Sequence, residues 1–345
     1  MEIIQVIDQL GLGGAERVCV NITNLLYRNG NSVKLIVLKD QGELFDLLDD
    51  GVKVIRLQNK SKFNKYKEFV KHVNAGSVVH VHMRAPYRFV QKAFLFYGGR
   101  KPIIFHDHYG KIVVDQKVAL FYKLFKPDIY IGVSKLLVDW GVSKMTMDSD
   151  KALLVSNIVF KYDVIEQQAS SEKKGIVFVG NLKKVKNHIF AIKLAHKLNM
   201  DLTIYCGKDE GNTYFKSLKK EIQENYSSQK INFIYDHKNV QSDLNKYDFA
   251  VCTSKSESGP LVLLEFLAQE IPFLTYKTGE IANFVEGKLP DFVIDNFVLE
   301  DWVKRSELIL QKKDNYALMK VFQEYWNREN FIDKYLQIYQ KVLNS

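Results

Sequence analysis

The stretch Cys252-Thr-Ser-Lys-Ser-Glu-Ser-Gly-Pro-Leu-Val-Leu-Leu-Glu-Phe-Leu-Ala268 decides the fold. The apolar run that leads into it, Asp248–Cys252, predicts a short buried strand, and the apolar run after Gly259-Pro260 predicts a helix. Proline suits the first turn of a helix, where its missing N–H group is not needed. The amides of that turn and the positive end of the helix dipole favour an anion. The stretch therefore predicts an anion site framed by Glu257 before the helix and Glu265 on it.

Strand-like and helix-like segments alternate along the rest of the chain, from Glu2 to Val155 and again from Gly175 to Tyr276. Such β-α alternation predicts a parallel sheet covered by helices. Helical periodicity then runs from Tyr316 to Leu343, with many aromatic side chains. The fold class predicted is α/β, with doubly wound parallel sheets.

The length of 345 residues is too great for one ordinary core. The polar stretch near residue 165 separates the two alternating regions and predicts a domain boundary there. We therefore expect an N-terminal domain over 1–165, a C-terminal domain over 166–320, and a final helix over 321–345 that packs back on the first domain. Paired doubly wound domains bind ligands at the carboxyl ends of their strands.

The composition is that of a globular protein, with 46% hydrophobic and 26% charged residues. The N-terminus reads as a strand rather than a signal peptide, and no apolar run approaches the roughly 20 residues that span a bilayer. The three cysteines are far apart in apolar surroundings, which predicts buried thiols of a reducing compartment. These features predict a cytoplasmic protein.

The net charge of +9 is concentrated between Lys53 and Lys126, where 16 Lys or Arg residues face only three acids, an excess of 13 positive charges. Aromatic residues are interleaved with these cations. The combination suits an anionic membrane surface and also nucleic acid. A solvated basic face with core aromatics explains it equally well.

Two glycine-containing turns follow predicted strands. Gly11-Leu-Gly-Gly-Ala-Glu-Arg17 opens the first helix, where glycines let backbone amides approach a phosphate. It differs from the dinucleotide fingerprint because Glu16 occupies the last glycine position, which argues against a dehydrogenase. Val179-Gly-Asn-Leu-Lys-Lys-Val-Lys-Asn-His188 is the corresponding turn of the second domain. Its lysines could neutralise a diphosphate, although a loop lysine is usually just solvated.

Two His-x-His pairs, His80/His82 and His106/His108, each share one strand face. No convincing set of further ligands accompanies them, so no metal site is expected. A polar role at a strand end is expected for one of them, His108. No nucleophile-elbow pattern supports a hydrolase.

Taken together, these motifs resemble family 4 of the retaining glycosyltransferases (group 1 glycosyltransferases), whose GT-B fold has two facing Rossmann-like domains. Glu257-Ser-Gly-Pro-Leu-Val-Leu-Leu-Glu265 is similar to the family's Glu-x7-Glu signature, which is the most specific of the likenesses. The two glycine turns resemble the family's N-terminal glycine loop and its Val-Gly-Arg-Leu…Lys-Asn-His segment. Asn157 falls where the family has a Pro-Asn-Gly turn before the linker.

The resemblance implies a role for each matching residue. Lys186 would hold the donor's diphosphate, Glu265 would bind the ribose, and Glu257 would lie beside the donor sugar. Gly13 and Gly14 would face the diphosphate, and His108 would contact the sugar. The catalytic residues implied are Lys186, Glu257 and His108. The implied donor-binding residues are Gly13, Gly14, Asn181, Lys186, Gly259, Pro260, Leu261, Val262 and Glu265.

Two departures from the family pattern bear on donor binding. Asn181 stands where the family has an arginine, so one bidentate phosphate contact is missing. Thr278-Gly-Glu-Ile-Ala-Asn283 replaces the family's Gly-Gly-x-Pro-Glu, with Asn283 at the position of the acid.

The activity implied is metal-independent, retaining transfer from a nucleotide-diphosphate sugar, UDP-linked first, to a hydroxyl of a glycan acceptor. No cofactor is implied, since the nucleotide sugar is a substrate. The basic window favours a lipid-linked acceptor in envelope polysaccharide assembly, with the protein peripheral on the cytoplasmic face of the inner membrane. One alternative is a catalytically silent nucleotide-sugar-binding or scaffold protein of the same fold. A nucleic-acid-binding protein would explain the charge but not the paired carboxylates or the glycine turns.

Overall fold

The computed structural model describes residues 1–39, 42–58, 61–74, 76–162, 174–208, 211–312 and 316–344. The chain forms two compact units, which are unit 1 (Met1–Ile158 with Glu329–Ser345) and unit 2 (Val159–Arg328). The boundary expected between residues 165 and 166 lies outside the described residues. Each unit is built on its own parallel sheet.

In the described part of unit 1 the sheet has seven strands, all parallel. They are β1 (Glu2–Ile7), β2 (Ser32–Val37), β3 (Lys53–Arg56), β4 (Ser77–His82), β5 (Ile103–Asp107), β6 (Ile129–Gly132) and β7 (Ala152–Leu154). Their order in the sheet is β3-β2-β1-β4-β5-β6-β7. The central strands β1 and β4 are buried on both faces, including their polar residues Gln5, His80 and His82.

The helices between these strands are α1 (Gly14–Arg28), α2 (Lys62–Lys71), α3 (Arg84–Tyr97), α4 (Leu120–Leu124) and α5 (Lys135–Ser143). Side-chain caps begin two of them: Ser61 accepts the amide of Asn64, and Ser134 accepts the amide of Leu137. α3 begins at Arg84, with Pro86 in its first turn, where proline is tolerated because its missing N–H group needs no intrahelical partner.

The described part of unit 2 repeats the plan with six parallel strands. They are β8 (Ile176–Val179), β9 (Leu202–Cys206), β10 (Ile231–Tyr235), β11 (Phe249–Cys252), β12 (Phe273–Tyr276) and β13 (Val293–Ile294), in the order β10-β9-β8-β11-β12-β13. The helices of this unit are α6 (His188–Lys197), α7 (Thr213–Asn225), α8 (Leu261–Ala268), α9 (Glu280–Glu286), α10 (Leu299–Gln311) and α11 (Tyr316–Glu329). α8 has the limits that its apolar run predicts.

The helical prediction for Tyr316 to Leu343 is confirmed except at Asn330, which divides the run into two helices. Asn330 has φ of 38° and ψ of 58°, the left-handed conformation that asparagine tolerates better than most residues. It ends α11 and starts α12 (Phe331–Leu343), which belongs to unit 1. Tyr335 and Tyr339 of α12 are fully buried there.

Two further features concern the cysteines and the apolarity of the helices. Cys19, Cys206 and Cys252 are free, buried thiols, as the sequence predicts. Within the described ranges, none of the helices combines the length and apolarity needed to cross a bilayer.

Both sheets reverse the direction of strand succession at one place, between β1 and β4 in unit 1 and between β8 and β11 in unit 2. At such a switch point the connections leave to opposite faces and open a crevice at the carboxyl ends of the strands. The glycine turns and the paired-glutamate stretch singled out in the sequence lie at these two places.

Candidate functional site

The main candidate site of unit 2 lies where β8 and β11 end. These strands pair in parallel, with Val251 opposite Phe178, so the segments that follow them emerge side by side. The segment after β8 passes through a 3-10 turn, Lys184–Lys186, into α6, and the segment after β11 leads into α8. Two motifs that are far apart in sequence therefore meet at one sheet edge.

Lys186 and Glu257 form an ion pair between these two segments. Nζ of Lys186 lies 2.5 Å from Oε1 of Glu257, and both side chains are mostly buried. Burial opposes the charged form of the lysine, but the charge of the Glu257 carboxylate and its hydrogen bond outweigh this and raise the pKa of Lys186. Lys186 is therefore a firmly charged cation. The structure brings together the two unit 2 residues to which the resemblance gives a catalytic role.

Backbone contacts lock the two segments to each other. The amide of Lys255 donates to the carbonyl oxygen of Val185 at 2.8 Å. The hydroxyl of Thr253 donates to the carbonyl oxygens of Lys186 and Asn187, at 3.1 Å each. These contacts fix the backbone of Lys186 at the edge of the sheet, and the ion pair with Glu257 orients its ammonium group.

A third turn, before α9, supports Glu257 from the other side. The hydroxyl of Thr278 accepts the amide of Glu257 at 3.0 Å, and the amide of Glu280 donates to the carbonyl oxygen of Ser258 at 2.9 Å. Gly279 has φ of +81°, and a Cβ atom there would lie 2.8 Å from Cδ of Pro260. Sequence reasoning counted this turn only as a departure from the family pattern and missed Thr278. The glycine before a helical run was the available signal.

The start of α8 adds backbone donors beside the ion pair. Pro260 precedes the first helical residue, Leu261, and provides no N–H group. The first turn of any helix leaves amides without an intrahelical partner, and here they belong to Leu261 and Val262. α8 is apolar and almost wholly buried, so its first turn is fixed against the sheet. These amides and the Lys186 ammonium form a cationic corner suited to an anion.

Glu265 lies one turn further along α8 and is only 7% exposed. A carboxylate that is buried to this extent needs interaction partners, and Glu265 is engaged in an interaction within the fold. Its position on a rigid helix suits a group that accepts hydrogen bonds from hydroxyls. The family resemblance implies that Glu265 binds the ribose, and this role stays a prediction.

The two asparagines that depart from the family pattern have different surroundings. Oδ1 of Asn181 accepts the amide of Gly207, at 3.3 Å, so this side chain ties the β8 turn to the end of β9. Asn283 lies on the exposed side of α9. Lys183 and Lys184, two of the loop lysines that could neutralise a diphosphate, are both exposed. The described cation that pairs with Glu257 is Lys186.

His188 begins α6 beneath this site and is fully buried. Its Nε2 lies 3.3 Å from the carbonyl oxygen of Gly180, which can only accept, so Nε2 carries the proton and Nδ1 faces the hydroxyl of Tyr214. Burial lowers the pKa of His188 to about 4. This neutral ring fixes the turn between β8 and α6.

In unit 1, Gly13 and Gly14 stand where β1 turns into α1. Gly13 is the residue before the helix, and Gly14 is its first residue. A Cβ atom on Gly13 would lie 2.1 Å from Oε2 of Glu16, so the Glu16 side chain folds over this glycine. The residue that breaks the dinucleotide fingerprint thus places a carboxylate at the positive end of α1.

His80, His82, His106 and His108 form a two-by-two array at the ends of β4 and β5. The in-register pairing of His82 with His106 brings the two His-x-His pairs together. His80 and His106 lie edge to edge with 3.2 Å between ring nitrogens, as do His82 and His108. The two layers stack with ring centroids 4.6 and 4.2 Å apart. Ring nitrogens of His80, His82 and His106 lie within 4.8 Å of one another, but most of them are already hydrogen-bonded.

Gln5 and Tyr339 determine where the protons of this array lie. The amide oxygen of Gln5 can only accept, so Nε2 of His82, at 2.7 Å, is protonated. Nδ1 of His82 then accepts from Nε2 of His108. Nε2 of Gln5 donates to the Tyr339 hydroxyl at 3.1 Å, and that hydroxyl donates to Nδ1 of His80 at 2.8 Å.

The remaining proton of the array follows from this order. Nε2 of His80 donates to Nδ1 of His106, which leaves Nε2 of His106 without a hydrogen-bond partner among the described residues. Burial lowers the pKa of His80 and of His108 to about 3. It also lowers the pKa of His82 and of His106 well below the ordinary value. All four rings are therefore neutral at neutral pH, and His108 contacts both His82 and Asn157 inside unit 1.

One Asp-x-Asp triplet, Asp148-Ser149-Asp150, occurs before β7. Its side chains are exposed, and they pair with cations of the same unit: Asp148 with Lys151 at 3.4 Å and Asp150 with Lys341 at 3.9 Å. The triplet lies at the amino end of its strand, away from the carboxyl edge where the candidate residues of this unit lie.

Comparison with known proteins adds to this picture. Residues 162–325 match the family model described as glycosyl transferases group 1. The matched segment contains Asn181, Lys186, Glu257 and Glu265. An uncharacterized glycosyltransferase of Haemophilus influenzae is 22% identical over 357 residues, which cover 96% of each chain.

Solved structures share the whole fold. Anabaena Alr3699/HepE, in complex with UDP and glucose, is 14% identical and covers 100% of this chain and 98% of its own, with a TM-score of 0.78. A glycosyltransferase from Rickettsia africae is 15% identical, with coverage of 99% and 98% and a TM-score of 0.76. The pneumococcal O-GlcNAc transferase GtfA, in complex with UDP and GlcNAc, is 12% identical, with coverage of 100% and 99% and a TM-score of 0.74. The chain has the GT-B fold of two Rossmann-like α/β units, and the family match supports the group 1 glycosyltransferase superfamily.

Proposed function

We propose that this chain is a retaining glycosyltransferase of family 4. It would move a sugar from a nucleotide-diphosphate sugar, with UDP as the nucleotide, to a hydroxyl of a glycan acceptor. The observation that carries the proposal is the Lys186–Glu257 ion pair beside the first turn of α8, inside the segment that matches the group 1 family model.

Lys186 and the α8 amides are the electrostatic part of this proposal. When the bond between sugar and diphosphate breaks, negative charge accumulates on the leaving phosphate. A fixed ammonium and fixed amides stabilise that charge without reorganising, which is the main source of rate enhancement in such a step. The diphosphate replaces Glu257 as the anion that Lys186 contacts, so the lysine exchanges one partner for another.

The two glutamates have separate roles in the proposal. Glu257, released from Lys186, lies beside the donor sugar and balances positive charge that develops on it, while Glu265 accepts hydrogen bonds from the ribose. The attacking hydroxyl gives its proton to the departing phosphate, so neither glutamate acts as a double-displacement nucleophile of the glycosidase kind. Neither a metal ion nor a cofactor takes part. For Gly13, Gly14 and His108, contact with the donor remains a prediction.

The acceptor proposed is a lipid-linked glycan of envelope polysaccharide assembly, reached from the cytoplasmic face of the membrane. The cationic, aromatic-rich region of unit 1 supports this part of the proposal. A catalytically silent nucleotide-sugar-binding protein is the alternative. The observation that favours it is the Asn181 side chain, which is bound to Gly207 and offers no positive charge to a phosphate.

Transfer of radiolabel from a panel of UDP-sugars tests the activity, with thermal shift used first to find which UDP- or GDP-sugar binds. Lys186→Ala should lower turnover about 100-fold or more, since it removes a charge aimed at the leaving group. Glu265→Ala should weaken donor binding. Lys197→Ala, at the far end of α6 and exposed, is the matched control and should behave like the wild type. Unchanged turnover in both site variants would refute the assignment, and binding without turnover in the wild type would favour the silent alternative.

A further inference from the structure

The outer face of unit 1 carries an apolar surface formed by α2, α3 and α4. Phe63 of α2 and Phe96 of α3 are each 56% exposed, yet their rings touch, with centroids 5.6 Å apart. Leu95 beside Phe96 is 62% exposed. Large apolar side chains that contact one another while they face solvent form a continuous patch rather than isolated exposed residues.

α4 extends this patch on the far side of α3. Leu120 and Leu124 are 68% and 67% exposed. Contacts between the two helices place α4 beside α3, because Nζ of Lys92 lies 6.0 Å from the centroid of the Phe121 ring and Arg88 donates to the hydroxyl of Tyr122 at 3.0 Å. We call the exposed apolar residues of these helices, with the cations among them, the α2–α4 surface.

Cations stand among these apolar side chains. On α3, Arg88, Lys92 and Leu95 follow one another at helical spacing along the outer face. Lys62 and Lys67 of α2 and Lys123 of α4 are also exposed. Long basic side chains can hold their charge at a polar boundary while neighbouring apolar groups enter it.

The net positive charge of the molecule is concentrated in this region. Residues 61–126 contain 13 Lys or Arg and three acids, whereas the rest of the chain contains 36 and 37, so the entire net positive charge lies in this one segment. The three acids are turned inward or paired: Glu68 with His72, Asp107 with Arg84, and Asp115 with the Tyr109 hydroxyl. Glu68 also pairs with the exposed Lys71, at 3.6 Å, so within the described residues the acids of this segment neutralise few of its exposed cations.

We propose that the α2–α4 surface is a docking face for an anionic lipid bilayer. Its leucines and phenylalanines would enter the interface between headgroups and acyl chains, while its lysines and arginines contact lipid phosphates. A nucleic acid would use the cations but would leave the exposed leucines without a partner, so the apolar component favours lipid. This face would bring the protein to the membrane that holds its lipid-linked acceptor. Only this link to the acceptor rests on the proposed function.

Flotation of the intact protein with vesicles tests this face. One vesicle preparation contains phosphatidylcholine alone, and the other contains equal amounts of phosphatidylcholine and phosphatidylglycerol. The wild type should float with the second and not the first, and high salt should reduce recovery because surface charges are screened. Equal recovery with both vesicles would overturn the proposal.

Variants locate the binding to the surface. Leu95→Ser/Phe96→Ser should lower vesicle affinity about tenfold, because two apolar side chains that would enter the bilayer are replaced by polar ones. Lys67→Gln/Lys123→Gln should lower it about fivefold for each cation removed. The controls are Leu308→Ser, a leucine of α10 that is 48% exposed, and Lys216→Gln/Lys220→Gln on α7. Surface variants that float like the wild type would also overturn the proposal.

Two further readouts separate the outcomes. Thermal shift with the donor reports on the unit 2 site and should be unchanged in every surface variant, so loss of flotation with intact donor binding isolates the docking face. A protein that floats but binds no donor would contradict the proposed function and leave the docking face standing. Competition by duplex DNA that is insensitive to Leu95→Ser/Phe96→Ser would show a nucleic-acid face instead and overturn this inference.

Discussion

Lys186 and Glu257 neutralise each other, with 2.5 Å between Nζ and Oε1, although 71 residues separate them in the chain. Each supplies the counter-charge that the other needs where solvent contact is limited. A diphosphate at Lys186 would therefore compete with Glu257 for the same ammonium group, and this competition gives the first prediction.

Glu257→Gln should bind free UDP about fivefold more tightly than the wild type, because it removes a competing anion from Lys186. Its turnover should nevertheless fall, since Glu257 is proposed to act on the developing sugar cation rather than on the bound nucleotide. Isothermal titration with UDP and a transfer assay measure the two quantities. The control is Glu286→Gln on α9, which breaks the ion pair between Glu286 and Lys277. Weaker UDP binding by Glu257→Gln would contradict the exchange of partners.

Gly279→Ala should destabilise unit 2 and weaken UDP binding together. An alanine would be strained at φ of +81°, and its Cβ would meet Cδ of Pro260 at 2.8 Å and the carbonyl oxygen of Ser258 at 3.0 Å. Gly30→Ala is matched for backbone conformation, since φ is +74° and nothing lies within 4 Å of its Cβ. Urea denaturation should show a loss about 2 kcal/mol larger for Gly279→Ala. Equal losses would mean that the turn can move away from α8.

The protein should lose stability as pH falls below about 6.5, the ordinary histidine value. Burial lowers the pKa of His188 to about 4 and of His80 and His108 to about 3, and it lowers the pKa of His82 and His106 as well. Below pH 6.5 these histidines bind protons in the unfolded chain, whereas their buried rings stay neutral in the folded chain, so protonation favours unfolding. Each ring then costs up to about 1.4 kcal/mol per pH unit.

Five such rings together rival the usual net stability of about 5–15 kcal/mol, so acid unfolding is expected near about pH 5. Urea midpoints measured across the pH range check this. His196→Gln removes an exposed histidine of α6 and should leave the profile unchanged. A midpoint that stays constant between about pH 7 and about pH 5 would show that the buried rings charge without penalty.

Imidazole nitrogen chemical shifts should show all four histidines of the array protonated on Nε2 and neutral at neutral pH. The amide of Gln5 fixes this order through His82, and Tyr339 fixes it through His80. Gln5→Met should release His82 from its tautomer while leaving His188, which has its own carbonyl acceptor, unchanged. A signal from a protonated Nδ1 in any ring of the wild-type array would refute the assignment.

The sequence allowed the repeated β-α plan and the limits of α8 to be predicted, because apolar runs and Gly-Pro punctuation act locally. It did not reveal the break at Asn330, since a single left-handed residue leaves the apolar periodicity of α11 and α12 almost intact. The Glu-x7-Glu spacing marked the right strand end. It did not show that Lys186 pairs with Glu257 or that Thr278 supports it, because both contacts depend on how strands β8, β11 and β12 lie beside one another.

The histidine array shows the same limit. Alternation along a strand predicted that each His-x-His pair shares a face. The stacking of the pairs depends on the register between β4 and β5, in which His82 lies opposite His106. Nothing in either strand alone specifies that register.

The return of α12 to unit 1 has a consequence for biosynthesis. Tyr339 completes the hydrogen bonds of His80 and Gln5, and Lys341 donates to the carbonyl oxygen of Asp150, so unit 1 is completed by residues that follow unit 2 in the chain. Unit 1 therefore cannot make these contacts along β1 and β4 until unit 2 has been synthesised.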